Sequence, residues 1–287
     1  MPISKYICAL TGSFLLVAGL QADEAKIAYL RLTDGFWQVW LTDPAGDRHV
    51  QVSFDETDKT RVSWMPNRKA LVCNVNDGRI QRISADGKHT EYLTLPVSGM
   101  FDAQVSPDGK RLAFSLPSTQ KKDNNSIWMV GIDGKGLRKL TNQPELEISP
   151  SWRPDGAEIV YSAGKTVEAH ELWQVSLKDH AQEQLTAGTL SLKVDPAVSP
   201  AGVIAYSDNQ AGSYDIWVLD KDGGKPARIT DMPEFEGEPS WSPDGKALAF
   251  SVYRSGENRI WVSDNVGKGA RPVTPAGVRS RSPVWAP

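Results

Sequence analysis

The sequence predicts an all-β fold: a six-bladed β-propeller of four-stranded antiparallel blades, its ring closed by the C-terminal strand pairing with the N-terminal blade. Three observations predict it. A proline-led turn recurs six times, two kinds of strand recur with it, and the chain ends are complementary pieces of one repeat. The turn prolines are Pro66, Pro107, Pro154, Pro200, Pro243 and Pro287, so successive repeats run 41, 47, 46, 43 and 44 residues. That period suits a propeller blade.

Within a repeat the order is clearest from Pro239 to Thr274. A short strand (Ser240, Trp241, Ser242) meets Pro243-Asp244-Gly245, and an apolar strand (Leu248, Ala249, Phe250) follows. Pro presets one turn dihedral, Asp caps the turn and Gly takes the positive-φ place, so the string reads as a hairpin. A longer polar loop is expected next, then a third strand (Ile260, Trp261, Val262), an Asp264-Asn265 turn and a fourth strand (Pro272, Val273, Thr274).

The second strand recurs as Ile27-Ala28-Tyr29, Ala70-Leu71-Val72, Leu112-Ala113-Phe114, Ile159-Val160-Tyr161, Ile204-Ala205-Tyr206 and Leu248-Ala249-Phe250. Such continuous apolar runs suit strands covered on both faces. The third recurs as Val39-Trp40, Ile80-Gln81, Ile127-Trp128, Leu172-Trp173, Ile216-Trp217 and Ile260-Trp261. The indoles are expected to pack between neighbouring sheets, as core and not as a binding site.

The ends explain closure. Pro283-Val284-Trp285-Ala286-Pro287 is a first strand with no second strand after it, and Lys26-Ile27-Ala28 is a second strand with no first before it. Pairing them removes two exposed sheet edges. Residues 1–22 read as a secretory signal peptide: Lys5, an apolar stretch from Tyr6 to Leu20, then Gln21-Ala22 at the cut. The stretch is shorter than the roughly 20 residues a spanning helix needs, so no transmembrane segment is expected after cleavage. The propeller domain is expected over 23–287. Cys8 lies in the leader, and Cys73, in a buried-type strand, is expected to be a small core residue.

The formal net charge of the 287-residue chain is −3, and one unit more acidic without Lys5. A mildly acidic surface argues against nucleic-acid binding, which needs a clustered basic field.

The phrases Val105-Ser106-Pro107-Asp108-Gly109-Lys110-Arg111-Leu112-Ala113-Phe114 and Pro239-Ser240-Trp241-Ser242-Pro243-Asp244-Gly245-Lys246, with Ile260-Trp261-Val262, resemble the blade repeat of TolB-type propellers over almost all of the chain after the leader. The resemblance implies a soluble periplasmic protein of a Tol-Pal-like envelope system. Its partner would be an envelope protein such as a peptidoglycan-associated lipoprotein, met through the propeller. TolB also carries an α/β domain and an N-terminal extension before its propeller. Here the first strand follows the expected cut within a few residues, so a propeller-only, monomeric member is expected, without the inner-membrane link that the extension makes.

Catalytic patterns are missing. No Gly-x-Ser-x-Gly elbow occurs, as a prolyl-oligopeptidase-like hydrolase would need. His49, His89, His170 and His180 are scattered and read as surface polar residues, not metal ligands. Asp220-Lys221-Asp222-Gly223 begins like a calcium loop, but the closing glutamate is absent, so it reads as a turn like Asp86-Gly87 and Asp133-Gly134. No cofactor is expected; calcium held in the central channel by carboxylates of several blades stays open. So do two alternatives, a carbohydrate- or small-ligand-binding propeller using the channel, and an oligogalacturonate-lyase-like enzyme with a cation at the ring's mouth.

Up-and-down blades put the tight Asp-Gly turns on one face (the turn face) and the blade-to-blade and second-to-third connections on the other (the loop face). Binding residues favour such loops on a rigid frame. The loop face is expected to carry longer connections, among them 118–125 with Lys121, Lys122 and Asp123, and 163–170. An acidic arc of Glu145, Glu147, Glu234, Glu236 and Glu238, with Phe235 exposed among them and Asp55, Glu56, Asp195 and Asp231 nearby, is expected to stand beside Arg279 and Arg281. These charges would orient a partner protein or peptide. The expected role is a non-enzymatic periplasmic scaffold.

Overall fold

Each of the first five proline-led turns joins an inner strand to its neighbour in the computed structural model of the chain, which describes residues 27–287 apart from 119–123, 143–144, 167, 189, 222 and 265. The expected leader, with Lys5, Cys8 and Ala22, lies outside the described residues, as do Lys26, Lys121, Lys122, Asp123, Asp222 and Asn265.

Every strand belongs to an antiparallel meander. The first comprises β1 (Ile27–Thr33), β2 (Phe36–Thr42) and β3 (His49–Gln51); the second β4 (Lys59–Trp64), β5 (Ala70–Val75), β6 (Ile80–Ser84) and β7 (Thr90–Tyr92). An eight-stranded sheet follows: β8 (Phe101–Val105), β9 (Arg111–Pro117), β10 (Asn125–Gly131), β11 (Arg138–Lys139), β12 (Leu146–Trp152), β13 (Glu158–Thr166), β14 (Ala169–Ser176) and β15 (Gln182–Gln184). Then come β16 (Lys193–Val198), β17 (Ile204–Asp208), β18 (Asp215–Leu219) and β19 (Ala227–Arg228). The next sheet is β20 (Phe235–Trp241), β21 (Leu248–Arg254), β22 (Glu257–Ser263) and β23 (Arg271–Pro272), and β24 (Ser280–Trp285) returns to pair with β1.

Six separate four-stranded sheets were expected, and among the described residues four are present beside one eight-stranded sheet. The eight-stranded sheet arises because two meanders touch at one parallel pair, Asn125 with Leu146, where β10 and β12 start side by side. The predicted partnership of the chain ends is present as strand pairing: Ile27 lies opposite Trp285 and Ala28 opposite Val284. The inner strands β4, β8, β12, β16, β20 and β24 each contact the next in that order, and β24 contacts β4.

The second strands are the interior. Ile27, Ala28, Tyr29, Leu112, Ala113, Phe114, Ile159, Val160 and Tyr161 are fully buried, and so is Cys73 to within 1%. In the third strands the aliphatic member is buried and the indole is half-buried at the seam between sheets. Trp40 of β2, for example, packs on a cluster holding Ala249, Ile260 and Val273 of the β20–β23 sheet. Large buried apolar area of this kind is the main driving force for folding. The turns close as read: Asp244 accepts the Ser242 hydroxyl at 2.6 Å and the Lys246 amide at 3.1 Å, and Gly245 sits at φ +69°.

The loop face departs from expectation. Residues 163–170 are not a long loop, because β13 and β14 pair out to Thr166 and Ala169. The polar stretch before Ile260 is likewise strand: Arg254 pairs with Glu257 across a two-residue turn, Ser255 and Gly256, both at positive φ. A twisted two-residue hairpin suits such residues. These hairpins extend as polar strands, which apolar runs alone do not reveal. Among the described residues no helix is long and apolar enough to cross a membrane.

Candidate functional site

The fifth residue before each turn proline decides what faces the centre. A β-bulge breaks the register of the inner strands here, between Phe101 and Gln104, Ile148 and Ser151, Val194 and Ala197, and Gly237 and Ser240. Asp102, Ser149, Asp195, Glu238 and Ser282 consequently sit at φ between 52° and 54°. That left-handed region costs a residue with a Cβ about 1 kcal/mol or more. Arg61 holds the equivalent place in β4. Bulges re-aim side chains, and these bring together polar groups from distant parts of the chain.

Arg61 Nη1 lies 3.1 Å from Asp195 Oδ1. Ser149 Oγ lies 3.3 Å from both Asp102 Oδ2 and Asp195 Oδ1. Glu238 accepts the Ser282 amide and hydroxyl at 2.7 Å each and the Ser251 hydroxyl at 2.6 Å. Burial pushes the Asp195 carboxyl up, with Arg61 opposing the shift and Glu238 and Asp102 adding to it. Carboxylates of three inner strands do converge, as the calcium alternative requires, but around a guanidinium. Among the described residues no group of three or more His, Cys, Asp or Glu could hold a metal ion.

Above this ring, toward the turn face, is a cavity of about 390 Å³ lined by the six turn prolines and by Trp64, Trp152, Trp241 and Trp285. Three of these indoles donate to the neighbouring inner strand: Trp64 to Val284 O at 3.1 Å, Trp152 to Gln104 O at 3.1 Å and Trp241 to Ala197 O at 3.0 Å. The Trp285 indole N–H is buried without a partner. The walls are prolines and indoles, and the floor carries Arg61 and Glu238.

The predicted acidic arc is mostly turned inward. Glu147 and Glu236, placed on strands β12 and β20, are both fully buried. Both occupy the seventh place before a proline, where Lys59, Met100, Lys193 and Ser280 are buried too. Glu147 accepts the Thr141 hydroxyl, and burial pushes its carboxyl up to about 7; burial, then the Asp215 charge, pushes Glu236 up to about 8. Glu238 belongs to the central ring. Glu145 is half-buried, and Glu234 is held by Arg254 at 3.1 Å. Asp55 is bound by buried Lys59, and Asp195 by Arg61.

The apolar half of the prediction stands on the surface. Phe235 is 40% exposed, lies opposite Tyr253 (50%) in register, and its ring is 4.7 Å from that of Tyr214. Phe101, at the loop-face end of β8, is 50% exposed. Arg279 and Arg281 stand over the Trp37 ring at 5.8 and 4.3 Å. The histidines are dispersed, and His170, expected at the surface, is buried with Nδ1 3.1 Å from Ser162 Oγ. The calcium-like turn closes through Asp220: its carboxylate accepts the Lys221 amide at 2.7 Å and its carbonyl the Gly223 amide at 3.1 Å.

Sequence reasoning missed Arg61 and Asp102 and read Asp195 as a loop charge. A signal was available: the fifth residue before every turn proline is polar or charged, and in four of the six strands (Asp102, Ser149, Asp195, Glu238) both its neighbours are apolar, Gly or Pro.

Comparison with known proteins supports a propeller of TolB type. The model of the family described as the TolB beta propeller domain matches residues 174–287. The Tol-Pal system protein TolB of Anaeromyxobacter dehalogenans (strain 2CP-C) is 28% identical over 265 residues, covering 91% of this chain and 60% of that protein. The chain thus spans about three-fifths of the length of this relative. Among solved structures, TolB from Acinetobacter baumannii has a TM-score of 0.79 at 18% identity, covering 95% of this chain and 69% of that one. An oligogalacturonate lyase in complex with manganese has a TM-score of 0.63 at 14% identity, covering 90% and 76%. At such identities the structural likeness bears on fold alone.

Proposed function

We propose that the chain is a non-enzymatic, TolB-like six-bladed propeller that is exported to the periplasm, works as a monomer and binds an envelope protein through its loop face, a peptidoglycan-associated lipoprotein being the kind of partner meant. The six-blade reading takes the eight-stranded sheet as two blades touching at one residue pair, and the β24–β1 pairing as ring closure. The relative named for the Tol-Pal system supports the general role. The observation that carries the binding face is the exposure of Phe101, Phe235 and Tyr253 at the loop-face ends of strands whose other apolar side chains are buried. Half-exposed aromatic side chains on a rigid frame are the residues that dominate protein interfaces.

The test is affinity capture from solubilised cell envelope with residues 23–287 as bait and a Phe101→Ser/Phe235→Ser/Tyr253→Ser variant as control. Retention of a peptidoglycan-binding lipoprotein by the parent and its loss from the variant is the expected result. Equal retention by both sinks the loop face. A small-ligand role is the second reading, favoured by the cavity of about 390 Å³ with its indole walls and charged floor. A rise in melting temperature with an oligosaccharide, abolished by Trp152→Ala, would favour it.

A further inference from the structure

We infer that Arg279, Trp37 and Arg281 form a clamp for carboxylates of an acidic peptide segment on the partner protein; the inference rests on the loop-face reading. Eight other arginines each hold an Asp or Glu at ion-pair distance. Among the described residues Arg279 and Arg281 hold none; both stand instead over the Trp37 indole. The Arg281 Nε is buried and has no acceptor. Asp58 accepts the Trp37 amide at 2.8 Å and Glu257 the Gly277 amide at 3.2 Å, and neither they nor Asp34 of the β1–β2 turn make an ion pair with either arginine.

Position and charge agree. Arg281 is the sixth residue before Pro287, a place that the other inner strands give to Thr60, Phe101, Ile148, Val194 and Gly237. It therefore brings a cation to a mouth otherwise uncharged at this level. The acidic groups that could neutralise it are spent elsewhere: Glu147 and Glu236 are buried, Glu238 is bonded to Ser251 and Ser282, and Asp195 is paired with Arg61. Among the described residues Asp231 and Glu56 stay exposed on the loop face without an ion pair, but at Trp37 the charge left available is that of the two arginines, so a segment seated there supplies the carboxylates. A guanidinium fork fits a carboxylate bidentately, and an indole beneath it holds the fork flat.

The test is fluorescence polarisation of a fluorescein-labelled hexapeptide of alternating glutamate and alanine on the full chain at low salt, with a lysine-alanine peptide as counterpart. The glutamate peptide is expected to bind and the lysine peptide not. Arg279→Gln/Arg281→Gln should weaken binding about tenfold, whereas Arg138→Gln, at an exposed position on β11, should leave it unchanged; a thermal melt checks that each variant is folded. No binding of the glutamate peptide, or equal binding to the double variant, overturns the clamp. So does selective binding of phosphatidylglycerol vesicles in its place. In the envelope capture, a partner kept by the arginine variant but lost from the aromatic one removes the clamp and leaves the face. A partner kept by both removes the face as well.

Discussion

The guanidinium of Arg61 stands 3.1 Å from the carboxylate of Asp195, 134 residues along the chain and on a different sheet. Burial opposes the arginine's charge, and Asp195, Asp102 and Glu238 together more than offset it. The pair ties β4 to β16 through the centre, and the side chains remain 15% and 22% exposed to the cavity. Arg61→Met leaves three carboxylates with no cation between them. Its unfolding free energy at pH 7 is expected to fall by about 3 kcal/mol. The deficit should shrink from pH 7 to pH 5, because burial raises the Asp195 carboxyl and lower pH favours its uncharged form. Urea unfolding at both pH values measures this; an equal deficit at the two would assign the loss to packing.

Buried Glu147 and Glu236 set a second pH dependence with a definite sign. Their folded pKa values of about 7 and about 8 lie above the ordinary 4.5, so the folded chain binds more protons than the unfolded one between those limits. Stability is therefore expected to fall as pH rises from about 4.5 through 8, by about 1.4 kcal/mol per unit of pKa difference at most. Glu147→Gln/Glu236→Gln should flatten the profile and exceed the parent in stability at pH 9. Denaturant midpoints from pH 5 to 9 decide it. A parent profile that is flat or rising over this range counts against buried protonated glutamates.

What was legible in the sequence follows from what is local. Pro-Asp-Gly and the runs around Ala113 and Ala249 specify turns and buried strands within a few residues of themselves, and they were read correctly. The bulge that lifts Asp102 or Glu238 toward the centre is a backbone offset between two strands, and no single strand encodes it. Glu236 illustrates the limit: its neighbours Phe235 and Glu234 look like loop, yet strand pairing with Val252 extends β20 over it and turns its carboxylate inside. In the sequence Arg279 and Arg281 stand out by charge alone, and their lack of carboxylate partners needs three dimensions.

Strain at the central ring is measurable. Ser149 holds φ at 54°, and its hydroxyl contacts to Asp102 and Asp195 are long, 3.3 Å each. Glycine adopts this conformation without the Cβ clash. Ser149→Gly is expected to be stabilising by about 0.5–1 kcal/mol net, and Ser149→Val to be strongly destabilising because a β-branched residue resists positive φ. Denaturation of the two variants tests the bulge; a Gly variant less stable than the parent would mean that the weak hydroxyl contacts outweigh the strain.

The four inner-strand tryptophans allow the indole bond to be separated from indole packing. Trp241 donates to Ala197 O at 3.0 Å, while Trp285, in the equivalent place and equally buried, donates to nothing. Replacement by Phe removes similar volume at both sites but takes a donor from a part-buried carbonyl only at Ala197. Trp241→Phe is expected to cost about 1 kcal/mol more than Trp285→Phe. Paired urea titrations give the difference directly. Equal costs would show that the Ala197 carbonyl finds another donor, water from the cavity of about 390 Å³ being the one within reach.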